Sequence, residues 1–161
     1  MGDLYVLLKF EGLLLLIPQP EVQAVEIMAD VHLAASTMGA IGWFGHEPGH
    51  GQHSPVFCLA NDLSLLIDVP DTRQYFVLIK APELPVGLTC DEVEDLNIRR
   101  QHLSLQPLPT IMKMPHSPLT HLVVYEDQVG CVCTGPALVD YLAYIATLYE
   151  QTVELNSRGG W

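Results

Sequence analysis

Histidines are the first residues with chemistry to offer. His46-Glu47-Pro48-Gly49-His50 matches the H-E-x-x-H pattern of zinc proteases. That chemistry needs both imidazoles on one face of a continuous helix, with the glutamate as base. Pro48 removes a backbone donor and Gly49 adds backbone entropy, so the segment opposes a helix. His46, His50 and His53 still share one glycine-rich loop, and neutral imidazoles suit zinc, copper or nickel. Cys58 could add a thiolate, although a strand position would bury it. No residue is identifiable that would orient these ligands. The expectation is a surface loop whose histidines titrate near neutrality, with a metal-responsive binding domain as the second reading.

The remaining candidates are weaker. Gly39-x-x-Gly42-x-x-Gly45 lacks the preceding strand and the opening helix of a dinucleotide site, and reads as a turn that needs positive φ. Asp91, Glu92, Glu94 and Asp95 could supply paired carboxylates, but Val93 and Leu96 alternate with them and make a solvated edge the expectation. Serine, histidine and aspartate are scattered, with nothing like a nucleophile elbow. A hydrolase ranks third, and no enzyme and no cofactor are expected.

The elements that must position these residues are mostly strands. Leu4–Phe10 alternates, Glu11–Gly12 turns, and the all-apolar run Leu13–Ile17 reads as a second, fully buried strand of a hairpin. Glu21–Asp30 has Val22, Val25 and Met28 or Ala29 at helical spacing, which predicts a short helix opening at Pro20. Val31–Met38 is ambiguous between loop and strand. Pro55–Leu59 is a short buried strand, and Leu63–Ile67 a strand or short helix. Tyr75–Ile79 is aromatic and β-branched. Val86–Cys90 follows as a strand, with Asp91–Leu96 after it.

Gln106–Pro118 carries four prolines and reads as a surface connection. Leu119–Tyr125 and Gln128–Cys133 form a hairpin around Glu126–Asp127. The one long helix, Pro136–Leu155, starts behind a Thr134 or Gly135 cap. It is apolar nearly all round, so it must be covered on more than one side. Burial between two lobes of the domain is expected; a docking face anchored by Tyr141 and Tyr144, which permits a homodimer, is the alternative.

The balance of charge narrows the partners. The 161 residues carry 7 Lys+Arg against 19 Asp+Glu, a formal net charge of −12. Nucleic acid needs a cationic footprint, and none is visible beyond Arg99–Arg100. Anionic membranes are disfavoured for the same reason, and Ala137–Leu148 is too short to span one. With 49% hydrophobic and 16% charged residues, a packed core is expected, with apolar surface left for a partner. The N-terminal segment has Asp3 where a secretory signal would carry positive charge, so a cytoplasmic location is expected. Four reduced, buried cysteines are expected, which fits that compartment.

Three pieces, in order, resemble the CheW-like domain of bacterial chemotaxis coupling proteins. Gly39-Ala40-Ile41-Gly42-Trp43-Phe44-Gly45 and then Pro55-Val56-Phe57-Cys58-Leu59 resemble the family's Gly-x-Ile-Asn-x-Arg-Gly, spacer, Pro-Val-x-x-Leu. Tyr75–Ile79 followed by Val86-Gly87-Leu88-Thr89-Cys90-Asp91-Glu92-Val93 is similar to its strand and Val-Gly-Leu-x-Val-Asp-x-Val. Tyr125–Cys133 running into Leu138–Leu142 resembles its closing hairpin and final helix. The resemblance implies a mainly β fold: two small five-stranded SH3-like barrels sharing a core, with a short helix and a C-terminal helix. One domain over residues 1–156 and a flexible tail over 157–161 are expected.

The resemblance also implies a non-catalytic adaptor that joins a chemotaxis-type histidine kinase, a chemoreceptor, or both, without membrane insertion. Gly42 and Phe44 stand where the family has Asn and Arg, and the spacer before Pro55 is enlarged by the histidine-rich insert. These departures point to a specialised adaptor, for example one in twitching motility, or to a degenerate module with a different partner. The expected partner contacts are Gly39, Ile41, Gly42, Trp43, Phe44, Gly45, Pro55 and Val56, because such aromatics anchor interfaces; the alternative is that the rings of Trp43 and Phe44 both cover the core.

Overall fold

The computed structural model describes residues 3–34, 38–45 and 53–158. Two sheets account for most of the fold. The first holds β1 (Leu4–Phe10), β2 (Leu13–Pro18), β10 (Glu92–Asn97), β11 (Gln106–Pro107), β12 (Leu119–Tyr125) and β13 (Gln128–Cys133), in the order β10-β1-β2-β13-β12-β11. The second holds β3 (Val22–Ile27), β4 (His32–Leu33), β5 (Gly42–Gly45), β6 (His53–Leu59), β8 (Tyr75–Ile79) and β9 (Val86–Cys90), in the order β3-β8-β9-β6-β5-β4, and β7 (Leu65–Leu66) pairs with β6. The second sheet is therefore one unbroken stretch of chain set inside the first. Helix α1 (Gly135–Arg158) closes the fold.

Hydrophobic patterning explains the layering. β1 and β2 are buried on both faces, so they read as near-continuous apolar runs. Leu7, Leu14 and Leu16 face the first lobe's own core, with Val123, Tyr125 and Val132. Val6, Leu8, Phe10, Leu15 and Ile17 enter a core shared with Phe57, Leu59, Val77, Ile79 and Leu88 of the second sheet. The opposite face of the second sheet holds a third cluster of Val31, Ile41, Val56, Cys58, Phe76 and Leu78. Two hairpin turns set register: Glu11 and Gly12 have φ of 49° and 82°, and Glu126 and Asp127 have 50° and 64°, the paired positive values of tight β-hairpins.

The expectation of a mainly β, two-lobed fold with a C-terminal helix holds. Its lobes have six and seven strands because β4, β7 and β11 are two-residue bridges. The short helix over Glu21–Asp30 is corrected: Val22–Ile27 is a strand between 3-10 turns at Gln19–Glu21 and Met28–Asp30. Pairing with β8 overrides the helical spacing there.

Helix α1 has a firm start and an unequal cover. Thr134 Oγ1 accepts the Ala137 N–H at 3.2 Å, and Glu21 Oε1 accepts the Gly135 N–H at 2.7 Å. Both satisfy donors that the first turn leaves open, and the carboxylate also suits the positive end of the helix dipole. Leu138 and Leu142 enter the shared core. Tyr144, Leu148 and Leu155 stay exposed, so the cover is one-sided and fades along the helix.

A buried cation ties the lobes together. The Arg73 side chain is 0% exposed. Its guanidinium donates to Thr89 Oγ1 at 3.0 Å, Leu59 O at 2.8 Å and Cys58 Sγ at 3.2 Å. Asp91 Oδ1 lies 3.1 Å from Nε, off the hydrogen-bonding axis, and Glu11 Oε1 lies 3.5 Å from Nη2. The Phe10 ring sits under the guanidinium at 4.9 Å, a cation–π contact. Glu11 in turn accepts the Asn61 N–H at 3.0 Å, and Asp91 accepts the Glu11 N–H at 3.2 Å. The β1–β2 turn of one sheet is thereby bonded to three loops and strands of the other.

Candidate interaction surface at the lobe junction

Strand alternation splits the residues of β5. Gly42 lies opposite Val56 and Phe44 opposite Ser54, so both face the second lobe's own core. Phe44 packs edge-on against Phe76, with ring centroids 5.1 Å apart at 65°. Trp43 lies opposite Pro55 on the other face, half-buried. Pro55 joins Ala81, Pro82, Leu84, Val86 and Val139 in lining an open apolar depression of about 430 Å³. Three elements meet there: the start of β6, the proline-bearing loop between β8 and β9, and the first turns of α1.

The other expected contact residues build this surface from behind. Ile41 and Val56 are 4% and 0% exposed and belong to the core beneath it. Gly39 has φ of 86°, and a Cβ there would lie 2.9 Å from Leu65 Cδ2, against the helix backbone at Ala146. Gly45 closes β5 opposite His53. A Cβ on Gly42 would collide with the His32 carbonyl oxygen and lie 2.9 Å from Val31 Cγ1. β4 therefore crosses β5 at a distance only glycine allows, which is why no larger residue stands at that position. Gly42→Ala should cost about 1–3 kcal/mol in urea unfolding and displace His32 and Leu33, while Gly12→Ala, where nothing lies within 4 Å, tests backbone strain alone.

Of the histidines in the alternative metal reading, one lies among the described residues. His46 and His50 lie outside the described residues, and His53 opens β6 half-buried. Among the described residues no group of three or more His, Cys, Asp or Glu could hold a metal ion. Cys58 is engaged by Arg73. Burial pushes the Cys58 and Cys131 thiols up, and the Cys90 thiol to about 12. Cys133 is raised as well, by burial and then by Glu21. Thiols held protonated are poor nucleophiles. The acidic cluster is structural: Asp91 faces Arg73, while Lys9 lies 3.8 Å from Glu92 and 3.6 Å from Glu94. Glu94 also accepts the Tyr125 hydroxyl at 3.0 Å. Burial, and then that carboxylate, raises Tyr125 to about 12.

Sequence reasoning missed the rim at Ala81–Val86 and the role of Val139. The two prolines of that loop were visible, but nothing local says that the loop folds over towards Pro55. Arg73 was missed too, since it stands in an ordinary charged turn. Its one detectable signal is scarcity: it is one of only 7 Lys+Arg in the chain.

No family model matches the chain, and no curated protein does. Solved structures do. The scaffolding protein TtCheW from Thermoanaerobacter tengcongensis is similar at a TM-score of 0.62 and 16% identity, over 83% of this chain and 89% of that one. The chain thus has the CheW-like fold, as its three sequence pieces imply. No helix among the described residues is long and apolar enough to cross a membrane.

Proposed function

We propose that this chain is a non-catalytic adaptor of a chemotaxis-type signalling assembly, and that it captures a histidine kinase regulatory domain or a chemoreceptor on the Trp43–Pro55 surface. The observation that carries the reading is the likeness, across most of both chains, to a protein described as a scaffold. The apolar depression beside Trp43 supports it. Trp43 pairs with Pro55, which lines the depression, and tryptophan is among the residue types enriched at interface hot spots. Phe44 fills the place of the family's arginine and turns inward onto Phe76, so Trp43 carries the contact.

Capture of the chemotaxis-type kinase regulatory domain from the same genome, followed by titration calorimetry, tests this. Trp43→Ala should weaken binding by about 30-fold, with an unchanged far-ultraviolet circular dichroism spectrum. Leu84→Ser, on the opposite rim, should weaken it less. Equal capture by wild type and Trp43→Ala would move the contact elsewhere. Lack of capture of both kinase and receptor by the wild-type chain would remove the adaptor reading.

A further inference from the structure

A second surface, on the first lobe and independent of the reading above, has an unusual charge. Between Leu96 and Tyr125 there is no Asp or Glu, although the chain has 19. Arg99, Arg100 and Lys113 stand there together with His102, His116 and His121. An acid-free run of this length stands out in a chain of net charge −12.

The structure presents part of this run as a built turn. Asn97 Oδ1 accepts the backbone N–H groups of Arg99 and Arg100, each at 3.0 Å. Leu103 N–H donates to Ile98 O at 2.8 Å, and His102 N–H to Arg99 O at 3.2 Å. Ile98 and Leu103 pack on the first lobe's core, which anchors the turn from below. Arg99 and Arg100 are both exposed. Arg99 has Asp3 at 3.9 Å, a solvent-exposed pair worth little.

Beside the turn lies an apolar cavity of about 400 Å³, lined by His102, Leu103, Gln106, Leu122, Val124 and Val129. Val124 and Val129 face each other across β12 and β13, and each is 61% exposed. Two exposed valines at the mouth of an apolar cavity, next to a cationic turn, form a two-part recognition surface. Carboxylates border the surface at both ends, Asp3 beside Arg99 and Glu126 and Asp127 at the hairpin turn, but none lines the cavity between them.

We propose that this cavity, with Arg99 and Arg100 beside it, docks an acidic amphipathic segment of a partner protein. Apolar side chains of that segment fill the cavity over Val124 and Val129, and its carboxylates meet the two arginines. An anionic lipid surface presents the same charge. An extended anionic surface would meet the chain's 19 carboxylates as well as the patch, whereas a short segment meets the patch alone, so a discrete peptide is the occupant that charge favours.

The test uses the full chain and a fluorescein-labelled synthetic peptide of about four helical turns, with Leu on one face and Glu on the other. A matched peptide carries Lys in place of Glu. The Glu peptide should bind at least about tenfold more tightly than the Lys peptide, and added salt should weaken it. The Arg99→Glu, Arg100→Glu double variant should lose about tenfold or more in affinity, and Val124→Ser with Val129→Ser should lose a similar amount. Unfolding midpoints of these exposed-site variants should stay near wild type. Amide NMR shifts on binding should gather at residues 97–106 and 122–129.

Equal binding of the two peptides would overturn the proposal, as would an indifferent charge-reversal variant or shifts gathered around Trp43. Sedimentation with phosphatidylserine vesicles in the absence of peptide binding would assign the surface to lipid instead. Self-association abolished by the double charge reversal, again without peptide binding, would assign it to a second copy.

Discussion

Replacing Arg73 with alanine is expected to destabilise the protein by about 3 kcal/mol, the lower end of what breaking a buried ion pair costs. The lower end applies because water reaches both acidic partners: the side chains of Glu11 and Asp91 are 34% and 25% exposed. Three hydrogen bonds to Thr89, Leu59 and Cys58 are lost, and a cavity opens over Phe10. Arg73→Lys should not restore stability, because one ammonium cannot reproduce the planar fork that reaches acceptors on several sides. Arg73→Met, which keeps the volume, should cost less than alanine. Urea unfolding of the three variants reads the order directly. An alanine variant within about 0.5 kcal/mol of wild type would mean that the network contributes nothing net.

Leu142→Ala should cost about 3 kcal/mol, since the side chain is 1% exposed in the core that both lobes share. Leu148→Ala, on the same helix but 44% exposed, should stay within about 0.5 kcal/mol. The pair isolates loss of packing, because both substitutions put alanine, the stronger helix former, into the same helix. Hydrogen exchange adds a second readout. Amides of β1 and of β8 should speed up together in Leu142→Ala, since one core supports both sheets. Acceleration in only one sheet would show that the lobes unfold separately.

The strands that could be read from sequence are those with at least one face set by burial. Leu4–Phe10, Tyr75–Ile79, Val86–Cys90, Leu119–Tyr125 and Gln128–Cys133 stand in the structure with the bounds their patterns imply. Glu21–Asp30 misled because its outward positions are apolar: Val25 and Ile27 are 44% and 50% exposed on an edge strand. Apolar residues on the solvent side erase the period of two and leave a chance helical spacing. At the candidate surface, the stretch around Trp43 was visible from its glycines and aromatics. Its division was not, because which of two adjacent rings turns inward depends on the register of β5 against β6. Arg73 was illegible for a related reason: its partners come from sequence-distant turns and strands, and no local spacing encodes them.

The nesting of one sheet inside the other bears on how the chain is made. β3 to β9 are consecutive, so the second lobe can pair its strands as soon as Cys90 has left the ribosome. The opening hairpin cannot finish at that stage. Leu14, Leu15 and Leu16 of β2 wait for Gly130, Cys131 and Val132, which are synthesised much later. Until then a leucine-rich strand edge is uncovered, a hazard for aggregation. Nascent chains halted just short of β13 should therefore be the ones that chaperones hold.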